Sequence, residues 1–72
     1  LLPNQAIVIE NAPLGIIAAV GAGIFTIAVN TGPLSDQILI DSGASLVFHS
    51  MDELNSALPD ILNKISKFKL SI

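Results

Sequence analysis

An alternation constrains this chain more than any other feature. Three short runs rich in apolar and β-branched residues, Ala6–Ile9, Ile24–Val29 and Leu46–Phe48, are each closed by a polar cluster and followed by a helical pattern. Runs this short and this apolar suit strands buried on both faces. After the first, the chain turns through Glu10-Asn11-Ala12, and Pro13 takes an early helical position. Leu14 to Ala22 supplies a short helix with small residues on it, and Gly23 offers a left-handed C-terminal cap. The second run ends at Asn30-Thr31-Gly32-Pro33, a strong turn cluster. Ser35 then reads as an N-cap with Asp36 in the first turn, and Ile38, Leu39 and Ile40 precede Gly43, which predicts a second short helix. The third run is closed by His49 and Ser50. Ser50-Met51-Asp52-Glu53 has the spacing of a capping box, in which serine and glutamate satisfy free amide donors at a helix start. The helix it begins carries Met51, Leu54, Ala57 and Leu58 at helical spacing. Pro59 is expected to break or restart it, with Ile61, Leu62, Ile65 and Phe68 continuing the apolar face. Lys64, Lys67 and Lys69 fall near its C-terminal end, where the helix dipole favours cations.

The order β-α-β-α-β-α predicts an α/β fold with a parallel sheet and crossover helices. Crossovers are right-handed, so a chain stepping in one direction across the sheet puts its helices on one face, and the other face is expected to stand bare. Composition points the same way. A chain of 72 residues can make at most one small domain, and domains of this size bury only about 60% of the surface their unfolded chains expose. Yet 51% of its residues are hydrophobic and the mean hydropathy is +0.74. The excess must face lipid, or protein outside these residues. We therefore expect residues 1–72 to be the C-terminal portion of one larger α/β domain, with the first strand pairing to a strand that precedes Leu1. The opening Leu1-Leu2-Pro3 has no initiator methionine and no basic stretch or small-residue cleavage site, so the start reads as truncated, no secretory signal is supported, and a cytoplasmic location is expected.

Several function classes are disfavoured at once. All 6 acidic residues lie at or before Asp60, and the 3 lysines are the only basic residues, so nothing permanently positive grips a phosphate backbone before Lys64 and nucleic-acid binding is not expected. The absence of cysteine excludes a disulfide scaffold and thiolate metal sites. The stretch from Ala12 to Val29 is uncharged and, at 18 residues, reaches the lower limit of a membrane span. Pro13, Gly15, Gly21 and Gly23, the lack of basic anchors and the change of periodicity at Gly23 argue instead for a helix followed by a strand.

Open parallel sheets bind ligands beyond the carboxyl ends of their strands. Glu10 and Asn11 lie at that end of the first strand, Asn30 and Thr31 at that end of the second, and His49 and Ser50 at that end of the third. A carboxylate beside an amide carbonyl offers hard oxygen donors that suit a magnesium ion retaining water and meeting a phosphate, although such a pair before a helix also serves as an ordinary cap. His49 is the only histidine; without a fixed partner it reads as a structural or solvent-facing residue more readily than as a base. Gly21-Ala22-Gly23 sits at a helix end and lacks the third glycine of a dinucleotide fingerprint. Ser35, Ser42 and Ser45 read as caps and turns, as do Asp52 and Glu53 at their helix start.

The segment AIVIENAPLGIIAAVGAGIFTIAVNTG resembles the fourth conserved motif of haloacid-dehalogenase-like (HAD) hydrolases, in the branch containing β-phosphoglucomutase and small sugar-phosphate phosphatases. Glu10, Gly15, Ile16, Ala18, Ala19, Ala22 and Gly23 fall on that pattern, and the later SGASLVFHSMDEL resembles the family's closing Gly-Ala, strand and Glu-Leu helix. The resemblance runs from Ala6 to Leu54. It implies a Rossmann-like three-layer core and Mg2+-dependent phosphoryl transfer to and from small phosphorylated metabolites through an aspartyl-phosphate. It also implies that Glu10 and Asn11 occupy metal positions. Asn11 departs from the commoner aspartate and brings less charge, while Ala12 replaces the usual serine. The family's nucleophilic and acid-base aspartates, and its substrate-selecting cap, would precede Leu1, so the 72 residues alone are expected to be inactive. The alternative from another class is a non-catalytic interaction module that pairs its free strand edge with a partner chain.

Overall fold

The computed structural model describes residues 6–69, with side chains as far as Lys64. The elements are β1 (Ile7–Glu10), α1 (Pro13–Gly21), β2 (Phe25–Val29), α2 (Asp36–Asp41), β3 (Leu46–Phe48) and α3 (Met51–Lys69). The strands form one parallel sheet in the order β1-β2-β3, pairing Ile7 with Phe25 and Ile27 with Leu46. This is the expected α/β, Rossmann-like arrangement. The first strand runs one residue later than its apolar run suggests: Glu10 pairs with Ala28 inside the sheet.

β2 is the central strand, and its pleat divides the core in two. Ala28 points to the face covered by α1 and α2, where it packs with Ile16, Leu39 and Ala44, and Val47 of β3 joins them. Ile27 and Val29 point the other way, against Leu54 and Ile61 of α3, flanked by Ile7, Phe25, Phe48, Ala57 and Leu58. Thr26 is buried as well, and its hydroxyl donates to the carbonyl of Ile24 at 2.9 Å, so no polar atom is stranded by that burial.

The second face is therefore not bare, contrary to expectation. The same-face rule governs α1 and α2 because each connects two strands. α3 connects to no further described strand and folds back over the opposite face, completing a three-layer sandwich. Cover thins towards β1, where Ile9 remains 45% exposed.

Pro59 does not break α3, which runs unbroken from Met51 to Lys69. A proline inside a helix removes one backbone donor and crowds the preceding turn. Here Leu54, Ala57 and Leu58 before it and Ile61 after it share one apolar stripe, and their burial on the sheet holds both halves in line. Ile65 and Phe68, expected to extend that stripe, lie beyond the described side chains, as do Lys67 and Lys69.

Turns follow the expected chemistry. Gly23, at φ 78°, carries the chain out of α1, and Gly43, at φ 117°, carries it out of α2. Gly43 also abuts α1, since an added Cβ would stand 2.9 Å from Cγ2 of Val20. The uncharged stretch splits at this first turn into α1 and β2, and among the described residues no helix is long and apolar enough to cross a membrane.

Candidate functional site

Two polar clusters form at the carboxyl ends of the strands. The first is built on Glu10. Pairing with β2 fixes its backbone, and α1 begins three residues later at Pro13, so its side chain meets the first turn of that helix. The main-chain N–H of Asn11 donates to Oε1 of Glu10 at 3.1 Å. Gly15 lies directly beneath the carboxylate: a Cβ at that position would stand 2.5 Å from Oε1 and 2.7 Å from Oε2. The carboxylate thus occupies the volume that any other residue would fill. Ala12, the N-cap of α1, makes no side-chain cap, and the positive end of the helix favours an anion at this place.

Glu10 and Asn11 open onto a shallow cleft of about 340 Å³ shared with Ile9, Val29, Thr31 and Met51. Its polar atoms are a carboxylate, an amide and a hydroxyl, a donor set of oxygen atoms suited to a hard cation. Among the described residues no three histidine, cysteine or acidic side chains come together as a metal site. Glu10 and Asn11 would hold one side of a magnesium ion, the rest of its shell coming from water, phosphate oxygens or further carboxylates.

The second cluster joins Asn30, Asp36, His49 and Glu53, and sequence reading missed it. Asn30 Nδ2 donates to the carbonyl of Leu34 and to Oδ1 of Asp36, both at 2.8 Å, which closes the loop between β2 and α2. The other carboxylate oxygen of Asp36 lies 2.7 Å from His49 Nε2. The carboxylate of Glu53 stands 3.7 Å from His49 Nδ1 and accepts the His49 main-chain N–H at 2.9 Å. The capping box is thus modified: Ser50 Oγ accepts from the Glu53 N–H, but Glu53 reaches back to His49 rather than to Ser50.

His49 therefore has the fixed partner that its isolation in the sequence did not reveal. The hydrogen bond and charge of Asp36, aided by the charge of Glu53, raise its pKa above the usual 6.5. The hydrogen bonds from Asn30 and then His49 lower that of Asp36 below 3.8. Asp36 and His49 are 13 residues apart, and only the adjacency of β2 and β3 brings them together. The single advance signal was the place of Asn30 and His49 on the same carboxyl rim; the sequence marks Asp36 only as a first-turn residue of its helix. A larger cavity, about 890 Å³, is lined by residues that include Ala6, Ile24, Phe25, Leu46, Phe48 and Ile61; it is mostly apolar and takes in no residue of either cluster.

The chain matches no family model, and no curated protein is similar to it. Among solved structures it is similar to one described as "Putative beta-phosphoglucomutase from Bacteroides vulgatus", with 57% identity and a TM-score of 0.83 over 88% of this chain. The match covers 26% of that structure's chain, so these residues span about a quarter of its length.

Proposed function

We propose that this chain forms the C-terminal part of the core of a HAD-type phosphoryl-transfer enzyme, a phosphatase or phosphomutase of the β-phosphoglucomutase branch. The observation that carries this reading is 57% identity, with a TM-score of 0.83, over 88% of this chain to the structure described as "Putative beta-phosphoglucomutase". The Glu10–Gly15 cradle supports it, because a carboxylate seated on a glycine at a strand's carboxyl end is held ready for a cation. In this reading Glu10 and Asn11 contribute oxygen ligands to Mg2+, which when bound offsets the charge of a transferring phosphoryl group.

The residues of this chain do three things in such a reaction. β1 and α1 orient the Glu10 carboxylate, Asn11 supplies a neutral oxygen beside it, and Thr31 and Met51 wall the cleft in which phosphate would lie. The nucleophilic aspartate comes from polypeptide outside residues 1–72, which pairs a strand with the edge of β1 that no described strand covers. Small phosphorylated metabolites are the substrates, and the 72 residues alone are inactive.

The test is Mg2+-dependent phosphate release, or isomerisation, from a panel of hexose phosphates by the product of the complete reading frame. Glu10→Ala should reduce kcat/KM at least about a hundredfold, roughly 3 kcal/mol of transition-state stabilisation. Activity unchanged in Glu10→Ala, or indifferent to Mg2+, would overturn the assignment of Glu10. Activity from the isolated 72 residues would overturn the need for an outside nucleophile.

A further inference from the structure

The loop between β2 and α2 carries Thr31 to the wall of the Glu10–Asn11 cleft, and its conformation depends on a chain of side chains that reaches α3. Asn30 bridges the ends of this loop by donating to Leu34 and Asp36. The Asn30 main-chain N–H is in turn held by the carbonyl of Phe48 at the end of β3. Asp36 is then joined to His49, the residue that follows β3, and His49 stands against Glu53 in the first turn of α3. The imidazole is 62% exposed, so solvent can exchange its proton freely.

The two ring nitrogens face two carboxylates, Oδ2 of Asp36 at 2.7 Å and Oε2 of Glu53 at 3.7 Å. A neutral imidazole has one N–H and one lone pair, so it would turn a lone pair towards one of these anions. Only the imidazolium offers an N–H to both. We propose that His49, between Asp36 and Glu53, is a proton-operated latch that holds the 30–35 loop closed in its cationic form and so positions Thr31 at the cleft. Asp36 from α2 and Glu53 from α3 are the charged groups that face His49, and among the described residues no lysine is paired with either. When the proton leaves, one charge-assisted contact becomes an ordinary hydrogen bond and the other becomes a repulsion. Asp36 is then held less firmly, and with it the Asn30 bridge. Thr31 is a positioning element here, and its importance to a reaction rests on the proposed function; the latch itself does not.

The experiment follows protons rather than turnover. His49 is the only histidine in these 72 residues; its ring signals, assigned in the full-length protein by their loss in His49→Gln, give its titration curve by NMR, and the Thr31 and Gly32 amides report the loop. We expect His49 to titrate above the ordinary 6.5 and the two amides to shift with the same midpoint. Asp36→Asn should lower that midpoint by at least about half a pH unit, and Glu53→Gln by less, with the loop amides losing their response in Asp36→Asn. A His49 midpoint at or below 6.5, or loop amides that do not follow it, would overturn the latch. Glu53→Gln keeps the test open if Asp36→Asn fails to fold, because a midpoint unmoved by loss of the Glu53 charge contradicts the two-carboxylate geometry. Because neither readout involves phosphate or Mg2+, failure here leaves the phosphoryl-transfer reading standing, and failure of that reading leaves this one standing.

Discussion

The carboxylate of Glu10 rests where the side chain of residue 15 would be, with Oε1 and Oε2 2.5 and 2.7 Å from a Cβ on Gly15. Gly15 is not in a left-handed conformation, so alanine meets no backbone strain there; its nearest obstacle is the movable end of Glu10. Gly15→Ala should therefore separate site from scaffold. Alanine is favoured over glycine in a helix by up to about 1 kcal/mol, so the protein should be as stable as the parent or more so. The displaced carboxylate should weaken Mg2+ binding by about tenfold, read by calorimetric titration alongside a thermal melt. Undiminished Mg2+ affinity would show that the carboxylate does not need its seat.

Much of this arrangement was legible in the sequence, and for identifiable reasons. Short-range chemistry located the elements: Ser35 caps α2 by accepting from the Ile38 N–H at 3.4 Å, and Gly23 and Gly43 have the positive φ their places demand. Long-range choices were not legible. Nothing local in Leu54 or Ile61 says that α3 returns across the far face, because that depends on where the chain stands once β3 is laid down. The Asp36–His49 pair is of the same kind, being created by strand adjacency. Pro59 shows the converse, a strong local signal overruled by packing on both sides of it.

The return of α3 can be tested through Leu54, which is 1% exposed against Ile27 and Val29, whereas Leu62 on the same helix is exposed. Leu54→Ala should cost about 2–5 kcal/mol. That is a large share of the roughly 5–15 kcal/mol that stabilises a typical folded domain, and the variant should unfold at a clearly lower urea concentration than the parent. Leu62→Ala should stay within about 0.5 kcal/mol of the parent. Equal effects at the two positions in urea melts would contradict α3 lying on the sheet by this stripe.

Pro59 is exposed and interior to α3, so its ring contributes little to the core while its missing N–H weakens the helix. Pro59→Ala should restore a backbone donor and raise stability by about 1–3 kcal/mol, with a gain in helical circular dichroism. A loss of stability would mean that proline's restriction of the unfolded chain outweighs the helix defect.

The Asp36–His49 pair gives the protein a defined pH window. The hydrogen bond of Asp36 raises the pKa of His49 above 6.5 on folding, so its contribution to stability is complete below 6.5 and is lost as pH rises through the higher folded value. Hydrogen bonds from Asn30 and His49 lower the pKa of Asp36 below 3.8, so its contribution is complete above 3.8 and is lost as pH falls through the lower folded value. The joint contribution of the pair is therefore flat between 3.8 and 6.5 and declines on either side. Both groups are well exposed, so the decline should be small and should shrink in high salt. Urea midpoints measured from about pH 5 to about pH 9 should fall on the alkaline side in the parent and stay level in His49→Gln, which has no proton to lose in that range. A parent midpoint that holds level through the same range would show that the imidazolium gains nothing from Asp36, and the contact at 2.7 Å would then be no more than the meeting of two neutral-strength partners at the rim.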